Sequence, residues 1–327
     1  MKNVKITIFI LIIIFLSINI YGEKKSKKEE KDGKKVIKKE EYEEGLKNQK
    51  KNYKKSVNKM NGNMDVFYKL YDYMGKGYVK LNVDLIFQVV DFENIKSTKF
   101  DISFYGKDKS GFSKKEDWSI DKDQFYVNEE GDGILVLDFS IEKGIYNNVK
   151  INITGNKGET ASVEIPKFKT LNLSDLETKL SEMYLLSNIN NCKNRMFLKR
   201  RFILIPEIKH VYQKNRKFGF YFEYYHLKTD ALYDEGKYKI SYKLIYAIND
   251  MVIYEKSDVK ENVPPNGQVV DFINLASATP GIYKLEVVFE DLMYDEKKVI
   301  KKSEYFWLKE KEKEKVNDNE KKDQTKK

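Results

Sequence analysis

From Met64 onward apolar side chains recur at every second position, and the stretch Gln268 to Asp291 shows the pattern most fully. An apolar run from Val269 to Leu275 is followed by Pro280-Gly281. Tyr283, Leu285, Val287 and Phe289 then fall on one face, with Lys284, Glu286 and Glu290 on the other. A period of two next to a Pro-Gly break predicts a half-buried antiparallel strand entered from a tight turn. The same reading predicts strands over Val66–Tyr73, Tyr78–Val89, Lys99–Tyr105, Ile134–Ile141, Val149–Ile153 and Ala161–Ile165. In the second half it predicts them over Phe202–Ile205, Phe218–Leu227, Lys237–Ala247, Val252–Lys256, Val269–Leu275, Ile282–Asp291 and Val299–Leu308. Short strands separated by Asn, Asp, Gly and Ser give an all-β protein of two tandem antiparallel immunoglobulin-like β-sandwiches.

The two halves echo each other. Gly77 to Phe87 lies over Gly236 to Tyr246 without a gap, and Leu137-Asp138-Phe139 followed by Gly144-Ile145-Tyr146 matches Val270-Asp271-Phe272 followed by Gly281-Ile282-Tyr283. The expected organisation is a signal peptide over 1–22, a Lys/Glu-rich tether over 23–63, a first sandwich over 64–167, a second over 168–308 and a charged disordered tail over 309–327. Between the sandwiches, Ser174 is placed to cap a short helix over Leu173–Leu180, with Glu177 completing a capping box.

Charge refines this picture. The net charge is +10, but the excess lies in the leader and the two arms, which leaves the body from Met64 to Leu308 close to neutral. A nucleic-acid binder carries its positive patch on the folded face that docks, so no nucleic-acid partner is expected. Met1 to Lys5 is basic, Ile6 to Ile20 is apolar, and Tyr21-Gly22 offers a small residue for cleavage: the pattern of a secretory signal peptide, with an uncleaved anchor as the alternative. The expected location is the periplasm or cell envelope. The tether is too polar to fold alone and reads as disordered or weakly helical, with Tyr42, Leu46, Tyr53, Val57 and Met60 at helical intervals. Its lysines suit weak contact with anionic membrane or polymer. Cys192 is the single cysteine, so no internal disulfide forms.

Catalytic patterns are sparse. His210 and His226 lack partners at metal-ligand spacing, and neither a Gly-x-Ser-x-Gly nor a phosphate-binding Gly-Lys-Ser/Thr loop occurs. The oxygen-rich loops 117–123 and 128–133 do not fit the spacing of a calcium loop. No cofactor and no metal are expected. Glu223, set among aromatics in FYFEYYHL, is the one carboxylate that suggests acid chemistry, with Asp291 or Glu290 as a second group for a glycosidase. Tyr221, Glu223 and Tyr225, together with the basic residues Arg195, Arg200 and Arg201, form the candidate ligand or partner surface. The opposite reading packs the tyrosines against the neighbouring sandwich.

FKTLNLSDLETKLSEMYL, IPEIKHVYQKNRKFGFYFEYYHL, GKYKISYKLIY and ATPGIYKLEVVFED together resemble the N-terminal β region of exported bacterial proteins named for a Gly-Trp-x-Thr-Asp (GWxTD) domain. The resemblance covers Phe168 to Leu308 well and Met64 to Pro166 loosely, through strand and turn signatures. No Gly-Trp-x-Thr-Asp motif occurs in the sequence, and no catalytic residue carries over. The resemblance implies export and paired β modules. The expected function is a non-enzymatic scaffold or binding adaptor of the cell envelope, whose partner is an envelope protein or a cell-wall polymer. The alternative is a periplasmic two-sandwich chaperone that binds clients by edge-strand addition, and a carbohydrate-active enzyme ranks below both.

Overall fold

The computed structural model describes residues 39–74, 81–172, 176–189, 198–199, 202–214, 217–296 and 298–310. The signal-peptide stretch, Cys192, Ser174, the three arginines and most of the charged tail lie outside these residues. The chain divides into two compact units, 1–47 and 48–327, and every described strand belongs to the second.

Among the described residues one α-helix, α1 (Lys39–Ser56), occupies the predicted tether and crosses the unit boundary. Lys54 and Lys55 in its last turn match the helix dipole. At its C-terminal end the Tyr53 hydroxyl donates to the Lys209 carbonyl at 2.6 Å, and its ring meets Trp307 edge-on at 6.0 Å. The chain enters the β-structure earlier than Met64. Asn58–Lys59 and Asn61–Gly62 pair with strands of the first sandwich, and Met60 is buried in its core.

Among the described residues fourteen strands have six residues or more. The first seven are β1 (Val66–Met74), β2 (Leu81–Val89), β3 (Lys99–Asp108), β4 (Ser113–Asp121), β5 (Gly133–Ile141), β6 (Ile145–Gly155) and β7 (Thr160–Lys169). The second seven are β8 (Tyr184–Ile189), β9 (Lys217–Tyr225), β10 (Gly236–Tyr246), β11 (Met251–Val263), β12 (Gly267–Asn274), β13 (Gly281–Asp291) and β14 (Lys298–Lys309). All of their mutual pairings are antiparallel. Sheet I runs β1-β2-β5 and sheet II β7-β6-β3-β4; sheet III runs β8-β9-β12 and sheet IV β14-β13-β10-β11. Adding seven to each strand number in the first pair of sheets generates the second pair, so one sandwich plan is used twice.

The repeat corrects one expected correspondence and supports the other. Gly77 to Phe87 leads into β2, whereas Gly236 to Tyr246 is β10, and these strands are not equivalent. The structural counterpart of β2 is β9. The second echo does join equivalent elements, β5 to β6 and β12 to β13. Tyr146 and Tyr283 sit near the starts of β6 and β13, and each hydroxyl donates to the carbonyl four residues upstream, of Glu142 and Thr279 respectively. This is the tyrosine corner of immunoglobulin-like sandwiches.

Three apolar layers hold the sheets. Val83, Leu85, Phe87, Phe104 and Ile151 lie in the layer between sheets I and II, and Phe220, Phe222, Tyr242, Leu285 and Phe289 in the layer between III and IV. A third, with Tyr71, Ile86, Ile134, Tyr184, Leu186 and Tyr221, joins sheet I to sheet III. Strands β2 and β9 are therefore covered on both faces, which accounts for sequences that do not alternate cleanly between apolar and polar.

The structure departs from the predicted elements at three further places, one of them β8 (Tyr184–Ile189), which no predicted strand covers. The segment read as a helix over Leu173–Leu180 ends in an extended pair, Lys179–Leu180 against Tyr225–Tyr224. Thr178, whose hydroxyl hydrogen-bonds Asp291 at 2.6 Å, anchors the chain there. Strand β4, SKKEDWSID, has no predicted counterpart because charged residues occupy its core-facing side: Lys114 and Glu116 stand opposite Gly106 and Phe104.

Candidate functional site

Alternation along β9 sends Phe218, Phe220, Phe222 and Tyr224 into the second sandwich core and leaves Tyr221, Glu223 and Tyr225 on the face toward sheet I. On that face the carboxylate of Glu223 is bracketed by its neighbours two positions away on either side. The Tyr221 hydroxyl donates to one oxygen at 2.6 Å and the Tyr225 hydroxyl to the other at 2.8 Å. The backbone N–H of Glu223 donates to Ser181 Oγ at 2.8 Å, and the Ser181 and Tyr71 hydroxyls are hydrogen-bonded at 2.8 Å. Tyr225 in turn accepts the N–H of Met74 at 3.0 Å.

The cluster continues across the junction. Tyr71 stacks on Tyr184 at 3.9 Å between ring centres, and the Tyr184 hydroxyl donates to Asp84 of β2 at 2.8 Å. Burial pushes the hydroxyls of Tyr71 and Tyr184 well above the ordinary tyrosine range, so both remain protonated donors. Tyr221, Glu223 and Tyr225 are all buried. The expectation that they form an open ligand surface is therefore corrected: they face the neighbouring sandwich, because sheet I covers that side of β9. Arg195, Arg200 and Arg201, predicted to extend the same surface, lie outside the described residues.

Glu223 and Asp291 are not brought together as a carboxylate pair. Asp291 ends β13 in sheet IV, where it accepts from Thr178, from the Lys228 N–H at 2.9 Å and from the Met293 N–H at 3.0 Å. A glycosidase needs two carboxyl groups flanking one groove, and Glu223 faces a packed sheet. The oxygen-rich loop 128–133 is likewise occupied. Asn128 Oδ1 accepts the N–H groups of Glu130 and Asp132 at 2.9 and 3.0 Å. Among the described residues no three metal-ligating side chains converge.

A second polar cluster, centred on Glu207, is absent from the sequence-based candidates. The loop Glu207 to His210 follows the short strand Phe202–Pro206 and docks on β2. Gln88 Oε1 accepts the N–H groups of Ile208 and Lys209 at 2.8 and 3.1 Å, while its amide donates to Asp132 at 3.0 Å. Lys209 forms ion pairs with Asp132 and, at 3.2 Å, with Glu130. Glu207 is fully enclosed, and desolvation raises its carboxyl to about 8. Its Oε1 and the buried Tyr212 hydroxyl lack hydrogen-bond partners among the described residues. The signal available in the sequence was an acid within the apolar segment IPEIKHVY.

The histidines serve backbone geometry. His210 has φ 52° and its Nδ1 faces the Tyr305 carbonyl at 3.0 Å; burial first, then the charge of Lys69, lowers it to about 3. His226 has φ 54°, and its N–H donates to Asn266 at 3.0 Å. Another buried acid, Asp72, accepts the Leu171 N–H where the chain leaves the first sandwich, and desolvation raises it to about 6.

No family model matches the chain, and no curated protein matches it. Among solved structures, a β-glucuronidase from Bacteroides uniformis aligns over 71% of this chain and 27% of its own length, at 8% identity and a TM-score of 0.26. A red sea bream transglutaminase aligns over 75% of this chain and 31% of its own, at 10% identity and a TM-score of 0.22. The chain thus spans about a quarter to a third of these structures, and the likeness is too slight to carry an argument.

Proposed function

We propose that the chain is an exported, non-enzymatic β-sandwich protein that acts as a scaffold or binding adaptor in the cell envelope. The observation that carries this reading is the use made of the junction side chains. Tyr71, Tyr184, Tyr225 and Gln88 spend polar atoms tying one sandwich to the other, and Tyr221 and Tyr225 hold Glu223 within β9 at the same junction. A buried hydrogen-bonded network favours one relative arrangement of its parts, which is what a spacer or adaptor requires. The leader pattern supports export, and the resemblance to the β region of GWxTD proteins agrees with it.

The chaperone reading finds less support. In sheet IV the edge strand β11 stands opposite β10, with Lys256, Asp258 and Lys260 across from the core residues Tyr242, Ile240 and Tyr238. Charges on the core-facing side of an edge strand oppose the addition of another strand. Fractionation of cells expressing the tagged full chain, with mass spectrometry of its amino terminus and chemical crosslinking of neighbours, tests the proposal. A chain beginning at Glu23 in the envelope fraction, crosslinked to an envelope protein or polymer, is the expected result. Recovery in the cytosol with Met1 intact would overturn it.

A further inference from the structure

The outer face of sheet II carries a depression of about 320 Å³, lined by Tyr105, Lys107 and Asp108 of β3, Asn147, Asn148 and Lys150 of β6, and Glu164 of β7. Its shape follows from a backbone irregularity. Tyr105 pairs with Lys150 and Lys107 with Asn147, so Gly106 alone stands against both Asn148 and Val149. Asn148 has φ 51°. Two residues against one is a β-bulge, which twists the strand locally and re-aims the side chains on either side of it.

Two features mark this place. The first is that four of its polar side chains are unspent, although Asp108 Oδ1 accepts from Ser110 and from the Phe112 N–H and the Tyr105 hydroxyl lies 3.5 Å from Ser113 Oγ. Glu164 and Lys150 are direct cross-strand partners, yet they form no ion pair, and the side chains of Lys107 and Asn147 also make no hydrogen bond or ion pair among the described residues. On sheet IV comparable charges close on one another: Lys243 with Glu255 at 3.1 Å, Lys239 with Glu290 at 3.5 Å and Lys284 with Glu286 at 2.8 Å. The second is the Tyr105 side chain, 39% exposed although it lies in the middle of a paired strand.

We infer that this depression is a binding site for a neutral pyranose sugar, a mono- or disaccharide unit of a larger glycan. The C–H face of a pyranose ring is apolar and suits a flat aromatic surface such as Tyr105. Its rim of vicinal hydroxyls both donates and accepts, which matches carboxylates, two amides and ammonium groups placed around that ring. Two lysines and two acids leave the lining without net charge, so nothing there favours an anionic ligand over an uncharged one. The volume falls at the small end of ordinary ligand sites, which fits one or two sugar rings rather than a folded partner. The inference deepens the adaptor reading by assigning it a ligand class.

Isothermal titration of the full chain with cellobiose, lactose, maltose and chitobiose, and with digalacturonate as the anionic comparison, tests it. At least one neutral disaccharide should bind saturably, with an affinity unchanged by added salt. Tyr105→Ala should weaken that binding about tenfold, Tyr105→Phe should retain most of it, and Tyr254→Ala, on the other sandwich, should leave it unchanged. Tyr105 is exposed, and circular dichroism will show whether its variants keep the fold. If no neutral disaccharide binds, if Tyr105→Ala binds as the wild type does, or if only digalacturonate binds and salt abolishes it, the site assignment is wrong. Envelope fractionation reads the adaptor role separately, so a negative sugar panel with an envelope-located protein sinks this inference alone.

Discussion

Tyr146 and Tyr283 occupy equivalent positions in the two sandwiches and make the same bond, each hydroxyl reaching the backbone carbonyl four residues before it. Both rings are also buried, Tyr146 in the first core and Tyr283 in the second. The hydroxyl ties the turn between the sheets to the strand that follows, so the corner is fixed by one side chain that also fills the core. Replacing either tyrosine by Phe keeps the ring and removes only the hydrogen bond. Each change should cost about 1 kcal/mol in urea unfolding, with similar values at the two sites. A loss at one corner and none at the other would show that the repeated geometry does not carry repeated energetics.

Glu223 is expected to matter for stability. Tyr221→Phe leaves the carboxylate with one fewer donor in a site closed to water, and the loss should be about 1–3 kcal/mol. The paired change Tyr221→Phe with Glu223→Gln should recover part of it, because an amide is cheaper to leave under-bonded than a charge. Urea unfolding of the three variants gives the coupling; strictly additive losses would argue against the bond.

Glu207 should make the fold sensitive to pH. Its carboxyl is raised from 4.5 to about 8 by burial, so the folded state holds the proton more tightly than the unfolded chain does. The stabilisation is fully present below about 4.5 and is lost as pH rises through about 8. A Glu207→Gln protein should lack this decline and differ from the wild type on the order of 5 kcal/mol between the two ends of that window. Asp72, raised to about 6, acts in the same direction over a lower window. His210, lowered to about 3, acts oppositely, losing stability as pH falls below its ordinary value. Denaturation of wild type and Glu207→Gln at pH 5 and pH 9 checks the sign: parallel curves would mean that Glu207 does not titrate in this range.

The edge strands β4 and β11 occupy equivalent places in the two plans, and both carry charge on the core-facing side: Lys114 and Glu116 in one, Lys256, Asp258 and Lys260 in the other. Substituting Val for Lys256 and Asp258 together should leave a long apolar edge open to pairing. Light scattering should then show more self-association than the wild type does. A monodisperse double variant would mean that the edge is protected by something other than its charges.

The all-β class, most long strands and the Gly-Ile-Tyr corner repeat were legible along the chain because each depends on local spacing: side chains two apart share a face, and a Pro-Gly pair marks a turn. Strand β4 was hidden because an edge strand protects itself with charge and so reads as loop. The short segment at Lys179–Leu180 was misread because a helix-capping pattern was outweighed by pairing to Tyr225 and by the Thr178 bond to Asp291. The alignment of Gly77–Phe87 on Gly236–Tyr246 failed because alternation records exposure and not the identity of the neighbouring strand.

What the amino-acid order settled by itself is the set of extended segments and the faces they present, since those follow from periodicity and turn chemistry within a few residues. Which buried face meets which other face was decided only in three dimensions. Tyr221, Glu223 and Tyr225 look alike on paper whether they meet a ligand or another sheet, and only the packing of β2 against β9 closed them off from water. The depression beside Tyr105 depends in the same way on a register shift between β3 and β6 and on the approach of β7. Neither is written in any single segment, because both arise from contacts between residues far apart along the chain.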